Sequence, residues 1–254
     1  MTTQTIIITG ASRGLGEAAS RIAAQMGSNI VLMARSGNHI ELIAREIQSH
    51  GGQALAITGD VSQELDCKNV VVEALRRFGR LDALVNNAGT IEPIGPIAET
   101  DPQAWEANWR TNLLGPLMLI QTALPFLRQS KGRVINVSSG AAVKVVRSWG
   151  AYSTAKAALN HVNRFLAEEE SDITAIAFRP GVVDTAMQAS IRSAEKMHPE
   201  EQTIFVGYHT AGELLPPELP GRSLVTLALY APHAWSGEFI SWDDERIRAL
   251  DIGN

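Results

Sequence analysis

Tyr152 and Lys156 stand four residues apart in a run with helical periodicity, so their side chains share one face. A phenol with its ordinary pKa of about 10 is a poor proton donor or acceptor near neutrality until a nearby cation favours its ionised form. Lys156 can be that cation. Ser138 and Ser139 close the strand-like run that precedes the pair, and the C-terminal ends of parallel strands face the ligand crevice of an open α/β sheet. A Ser139 hydroxyl there can orient a carbonyl and stabilise charge developing on its oxygen. Together these groups suit proton delivery to a carbonyl oxygen as hydride reaches its carbon, with Lys156 also placed to hold a nicotinamide ribose.

A second constellation follows the first strand-like run: Thr9-Gly10-Ala11-Ser12-Arg13-Gly14-Leu15-Gly16, opening a helix. Glycines at a strand–helix junction permit a tight turn, and the helix N-terminus offers unpaired N–H groups and positive dipole to a pyrophosphate. The candidate cofactor contacts are Gly10, Ser12, Arg13, Gly14, Leu15 and Gly16. Their Gly-xxx-Gly-x-Gly spacing departs from the commoner dinucleotide fingerprint. The second strand ends at Met33-Ala34-Arg35-Ser36, and no acid occurs from Val31 through Ile40; Glu41 is the first. A site selective for NAD places a carboxylate there for the ribose hydroxyls, whereas Arg35 and Arg13 suit the 2′-phosphate of NADP.

The elements that must position these groups alternate along the chain. Residues 5–9, 29–34, 54–58, 83–85 and 133–137 are strand-like and lack polar alternation, as strands buried on both faces should. Between them, 15–26, 38–50, 63–78 and 102–127 carry apolar residues at helical spacing. A helix over 152–169, a strand over 173–178, a helix over 224–230 and a strand over 238–242 continue the pattern. Strand alternating with helix implies parallel pairing by right-handed crossovers. The expected fold is one doubly wound α/β (Rossmann) domain over residues 1–254, with a mostly parallel seven-stranded sheet and helices on both faces. Residues 184–220 have weak periodicity and are expected to form either a substrate loop or lid, or a solvated connection.

These residues resemble the short-chain dehydrogenase/reductase family over nearly the whole chain. The resemblance rests on Thr9–Gly16, Asp60-Val61, Asn86-Asn87-Ala88-Gly89, Asn112 within Arg-Thr-Asn-Leu, Tyr152-xxx-Lys156, and Arg179-Pro180-Gly181-Val182-Val183-Asp184-Thr185. Ser139, thirteen residues before Tyr152, has the family's usual separation and is preferred to Ser138. The resemblance implies that Asp60 and Val61 meet the adenine, and that Asn86, Ala88 and Gly89 line the central cofactor crevice. It implies that Pro180, Gly181, Val183 and Thr185 cradle the nicotinamide. Asn112 is implied to bend a helix and to hold a water that links Lys156 to solvent. Within the family the chain is similar to the sepiapterin reductase and benzil reductase branch. The similarity lies in Trp149-Gly150-Ala151-Tyr152, Leu166-Ala167-Glu168-Glu169-Glu170, Thr185-Ala186-Met187-Gln188 and the stretch from Ser236 to Asp244. By that resemblance Asp243 or Asp244 either holds a pterin or is simply solvated. Trp149, Tyr208 and Trp242 either wall an aromatic ketone or pack a core or subunit interface. Homodimers or homotetramers, formed through the Tyr-bearing helix and the long helix before it, are a family expectation.

Composition narrows the alternatives. The 254 residues are 45% apolar and 19% charged, with net charge −5. A mildly acidic chain lacks the basic footprint of a nucleic-acid binder or a polybasic membrane surface. Cys67 is the single cysteine, so no internal disulfide or multi-thiolate metal site can form. The six histidines show no metal-ligand spacing. No run of about 18 apolar residues or signal-peptide pattern is present, and the expected location is cytoplasmic. The expected activity is NADPH-dependent reduction of a small-molecule carbonyl. Tyr152 is the expected acid, Ser139 orients the carbonyl, Lys156 lowers the phenol pKa and Asn112 serves the proton relay. The alternatives are an NAD(P)-linked alcohol dehydrogenase acting oxidatively, a dehydratase or epimerase, and a nucleotide-binding regulator without turnover.

Overall fold

The computed structural model describes residues 3–251. Every residue of β1 (Thr5–Thr9) is buried; Ile6 and Ile8 enter one apolar layer and Ile7 the other. In β2 (Asn29–Ala34), Ile30 and Leu32 join the first layer, Val31 and Met33 the second. Such strands stabilise the sheet from both faces, each fully buried side chain contributing roughly 1.5–3 kcal/mol. The remaining strands are β3 (Gln53–Thr58), β4 (Ala83–Asn86), β5 (Arg133–Val137), β6 (Thr174–Arg179) and β7 (Phe239–Ser241). They pair in the order β3-β2-β1-β4-β5-β6-β7, every neighbour parallel. The order reverses between β1 and β4, where a doubly wound sheet opens its ligand crevice.

Helices α1 (Gly14–Gln25), α2 (Gly37–Ser49) and α9 (Glu218–Tyr230) cover the first layer. Helices α3 (Glu64–Phe78) and α5 (Gly115–Ser130) cover the second, joined by Leu166 of α6 (Gly150–Glu169). A line of buried amides ties α6 to the sheet. Asn86 Nδ2 donates to Asn136 Oδ1 at 2.9 Å, and Asn136 Nδ2 to Asn163 Oδ1 at 3.2 Å. Asn163 Nδ2 then donates to the Ala175 carbonyl at 3.3 Å. Polar groups so deep are costly unless paired, so this line fixes the rotation of α6 against β4, β5 and β6. Among the described residues, no helix is long and apolar enough to cross a membrane.

Two expectations are corrected. Residues 102–127 are not one regular helix. α4 (Pro102–Trp109), whose Asp101 cap accepts from Gln103 N at 3.0 Å, passes into a π-helical turn, Arg110–Leu114, before α5 begins. The buried Asn112 lies in that turn and donates to the Asn108 carbonyl, four residues back, at 3.1 Å. A side chain that bonds the ladder carbonyl competes with the regular i to i−4 pattern. Residues 184–220 are likewise more regular than expected, holding α7 (Ala186–Ser193), α8 (Pro199–Thr210) and the start of α9. Their periodicity is weak because α8 buries no residue at all. The segment leaves and rejoins the sheet side by side, through a parallel bridge between Val183 and Leu215. The chain ends its described part in α10 (Glu245–Asp251).

Candidate active site

Parallel pairing brings the C-terminal ends of β1, β4, β5 and β6 to one edge, and α6 runs past it. Tyr152 and Lys156 are one helical turn apart on the buried stripe of α6, 7% and 3% exposed. Ser139 follows β5; its Oγ accepts from Ala141 N at 3.1 Å, and its hydroxyl faces the Tyr152 phenol closely enough to lower its pKa. Lys156 Nζ donates to the Val137 carbonyl at 2.7 Å and lies 5.7 Å from the centre of the Tyr152 ring. Burial pushes the Tyr152 phenol above its usual value, and the Ser139 hydrogen bond pulls against that rise. Desolvation brings Lys156 itself down to about 8, because burial disfavours the charged form of an amine.

Asn112 meets this pair from the π turn. Its Oδ1 accepts from Thr90 N at 3.2 Å. A Cβ placed on Gly89 would lie 2.8 Å from Asn112 Oδ1 and 3.8 Å from Lys156 Nζ, so the amide oxygen and the amine converge on one glycine. Ser138, by contrast, is buried with its hydroxyl unpartnered and does not join the cluster.

The glycine turn packs directly on the segment after β4. Gly10, at φ +64°, leaves no room for a Cβ beside Ala88 Cα at 2.9 Å, and a Cβ on Gly16 would reach the Gly10 carbonyl at 2.3 Å. Asn87, which sequence reasoning left out of the site, holds this arrangement: its Nδ2 donates to the carbonyls of Thr9 (2.9 Å) and Gly10 (3.3 Å). The signal was available, since Asn87 lies within the quoted Asn86–Gly89 run. Gly14, at φ +57°, faces Thr185 across the crevice, where a Cβ would stand 3.0 Å from the threonine methyl. Pro180 and Gly181 follow β6, Gly181 packing on Leu215 and Trp242, and Val183 bridges to Leu215. Ser12 and the buried Leu15 flank the turn, while Arg13 is exposed. Asp60 N donates to Asp66 Oδ2 at 2.8 Å and Asp60 Oδ1 accepts from Ser62 N at 2.9 Å, and Val61 is buried under Gly115. Asn86 Oδ1 is buried without a hydrogen-bond partner at the end of β4. Backbone approach reserved by glycines, an open helix N-terminus and an unanswered acceptor fit a dinucleotide.

At the far end, Arg35, Ser36, Gly37, Asn38, His39, Glu41 and Thr58 line an open cavity of about 510 Å³. Arg35 is exposed, with Nη1 3.9 Å from Asp60 Oδ2. Glu41, the first acid after β2, faces the same cavity and pairs with Arg45 at 3.4 Å.

On the open side of Tyr152 an apolar cluster contains Ile91, Ile94, Trp149, Ile191 and Met197, with Met187 and Phe205 against it. Trp149 meets the Tyr152 ring edge-on at 5.9 Å and stacks on Phe205 at 4.9 Å, with Tyr208 6.2 Å beyond. Phe205 had no signal in the sequence, because α8 lacks an apolar stripe. Trp242 is not part of this wall: it packs into the opposite layer and against Gly181. Asp244 is committed elsewhere, accepting from Arg246 N at 3.0 Å as the cap of α10; the Arg246 guanidinium holds its carboxyl below the usual range. Asp243 is exposed. Cys67 is buried under Val61, donating to its carbonyl at 3.3 Å, and desolvation raises the thiol to about 12.

The family model described as short chain dehydrogenase matches residues 4–196, and the chain belongs to that family of oxidoreductases. It is 37% identical to an uncharacterized oxidoreductase of Schizosaccharomyces pombe, covering 93% of this chain and 95% of the relative. It is 33% identical to an (S)-benzoin-forming benzil reductase of Saccharomyces cerevisiae, covering 95% and 97%. The KRED1-Pglu crystal structure superposes with a TM-score of 0.90 at 37% identity, covering 94% of this chain and all of that one. A Beutenbergia cavernae protein assigned as an NAD(P)-dependent gluconate 5-dehydrogenase, crystallised with NADP at low occupancy, superposes at 0.84 with 28% identity and 96% coverage of each chain. Of the two activities in the expected branch, benzil reductase is the one named for a relative described here. Gly16→Ala is expected to weaken dinucleotide binding by about tenfold or more in a fluorescence titration, because the new Cβ displaces the Gly10 carbonyl; unchanged affinity would place the pyrophosphate elsewhere.

Proposed function

We propose that this oxidoreductase reduces an aromatic ketone or diketone to a secondary alcohol with NADPH. The observation that carries the reading is the convergence of Ser139, Tyr152, Lys156 and Asn112 on one side of a crevice shaped for a dinucleotide. The bound reduced nicotinamide supplies the hydride. Tyr152 donates its proton to the carbonyl oxygen, and the Ser139 hydroxyl hydrogen-bonds the same oxygen as negative charge develops on it. The phenolate left behind is favoured by the nearby Lys156 ammonium, and Asn112 anchors the route by which a proton returns. The raised phenol pKa keeps Tyr152 protonated through neutrality, which suits the reductive direction.

Trp149, Phe205 and Tyr208, with Met187 and Ile94, would receive the substrate's ring, and the α7–α8 segment would act as its lid. The benzil reductase relative supports this choice. Arg35, aided by Arg13, would take the 2′-phosphate; NADP in the Beutenbergia cavernae structure supports that cofactor, and the pairing of Glu41 with Arg45 reduces the opposition from acid at this end. Exposed Trp109, Leu114 and Phe165 on the α4–α6 face support assembly as a homodimer or homotetramer.

Tyr152→Phe is expected to lower kcat for benzil by about 10²–10⁴-fold with NADPH affinity retained; near-normal turnover refutes the assignment. With Lys156 titrating at about 8, its ammonium is present below that pH and lost above it. The value of kcat/KM for NADPH should therefore fall above roughly pH 8, and a flat profile to pH 10 would remove Lys156 charge from the mechanism. Arg35→Asp should weaken NADPH by about tenfold or more relative to NADH, read from the two Kd values; an unchanged ratio places the 2′-phosphate away from Arg35.

A further inference from the structure

We infer that Asn108 is a positioning residue for the proton route, setting which way the Asn112 amide faces; this rests on the reductase reading above. Asn108 is 1% exposed, on the last turn of α4 before the π segment. Its Nδ2 donates to two backbone carbonyls of the segment after β4, Thr90 at 3.2 Å and Glu92 at 2.6 Å. Its Oδ1 accepts from Asn112 Nδ2 at 2.9 Å.

This order of donors and acceptors runs one way. Backbone carbonyls can only accept, so they hold the NH₂ of Asn108 towards themselves and turn its oxygen to Asn112. Turning the Asn108 amide over would set oxygen against two carbonyl oxygens and NH₂ against the NH₂ of Asn112. The same oxygen, with the Thr90 carbonyl at 2.8 Å, draws the Asn112 NH₂ inward. Asn112 Oδ1 is thereby left facing Thr90 N and Gly89, on the side where Lys156 Nζ lies. Two fixed carbonyls thus dictate the polarity of an amide that meets the catalytic amine. Asn108 acts through Asn112. It also pins the Thr90–Glu92 segment that follows β4.

The test compares the parent, Asn108→Leu, Asn112→Ala and the double variant in NADPH oxidation by benzil, with NADPH affinity and melting temperature measured alongside. Asn108→Leu keeps the volume and removes both amide functions. The expected result is a fall in kcat of about tenfold with both KM values within about twofold of the parent. In the Asn112→Ala background the same substitution should change kcat by less than about twofold, because the residue it acts through is gone. A kcat for Asn108→Leu within twofold of the parent overturns the proposal. So does a loss that multiplies with that of Asn112→Ala, which is the mark of independent structural damage. If Asn108→Leu does not fold, Asn108→Ser carries the same two outcomes, since its short hydroxyl cannot bridge Glu92 and Asn112. A parent inactive on benzil and other aromatic ketones overturns the reductase reading and this inference together; an active parent with an indifferent Asn108 overturns the inference alone.

Discussion

The buried amine of Lys156 sets the terms for the rest of the molecule. An ammonium 3% exposed is stable only where dipoles replace the water it has lost, and here the carbonyl ending β5 does so at 2.7 Å. That contact demands that α6 lie at one height and one rotation against the sheet. The amide line Asn86–Asn136–Asn163 enforces the rotation, with Leu159 and Leu166 closing the stripe on either side of Asn163. Once α6 is held, Tyr152 has no freedom relative to Lys156, and Ser139 needs only the short turn after β5 to reach the phenol. The polar interior of this face is part of how the site is aimed.

Much of this was legible in the sequence because the responsible signals are local. TIIIT and NIVLMA have no polar alternation and could only be strands covered on both sides. Gly10, Gly14 and Gly16 announced a backbone that another group must approach, and the Tyr152–Lys156 spacing fixed a shared helical face. The break at Asn112 was legible only through the family resemblance, which implied a bent helix there; locally, nothing in Trp-Arg-Thr-Asn-Leu distinguishes a polar residue facing solvent from one that turns inward to the Asn108 carbonyl. Helices α7 and α8 were missed for a related reason. Periodicity reports burial: α8 has no fully buried residue, with Phe205 only half-buried against Trp149, and the short α7 buries just Gln188 and Ile191. Trp149 and Trp242 look alike in sequence, yet tertiary packing sends one to the Tyr152 ring and the other to the opposite layer, a division no local pattern records.

The two ends of the crevice differ in kind. At the glycine turn, Gly10, Gly16, Ala88 and Asn87 are so closely apposed that a single methyl group has no space, and the backbone itself is the binding surface. At the outer end of β2 the lining is open and charged, with Arg35 and Glu41 on one cavity where salt and solvent reach both side chains. The first end is demanding of sequence and the second tolerant of it.

The pairing of Val183 with Leu215 has a lasting consequence. Since departure and return are adjacent, the stretch between them is a detour off an otherwise complete framework, and its length or composition can change without shifting either anchor. With the lid role proposed above, rewriting this one excursion is the direct way to retool what the enzyme accepts. The proton-handling residues, carried by α6 and the π turn, need no matching revision.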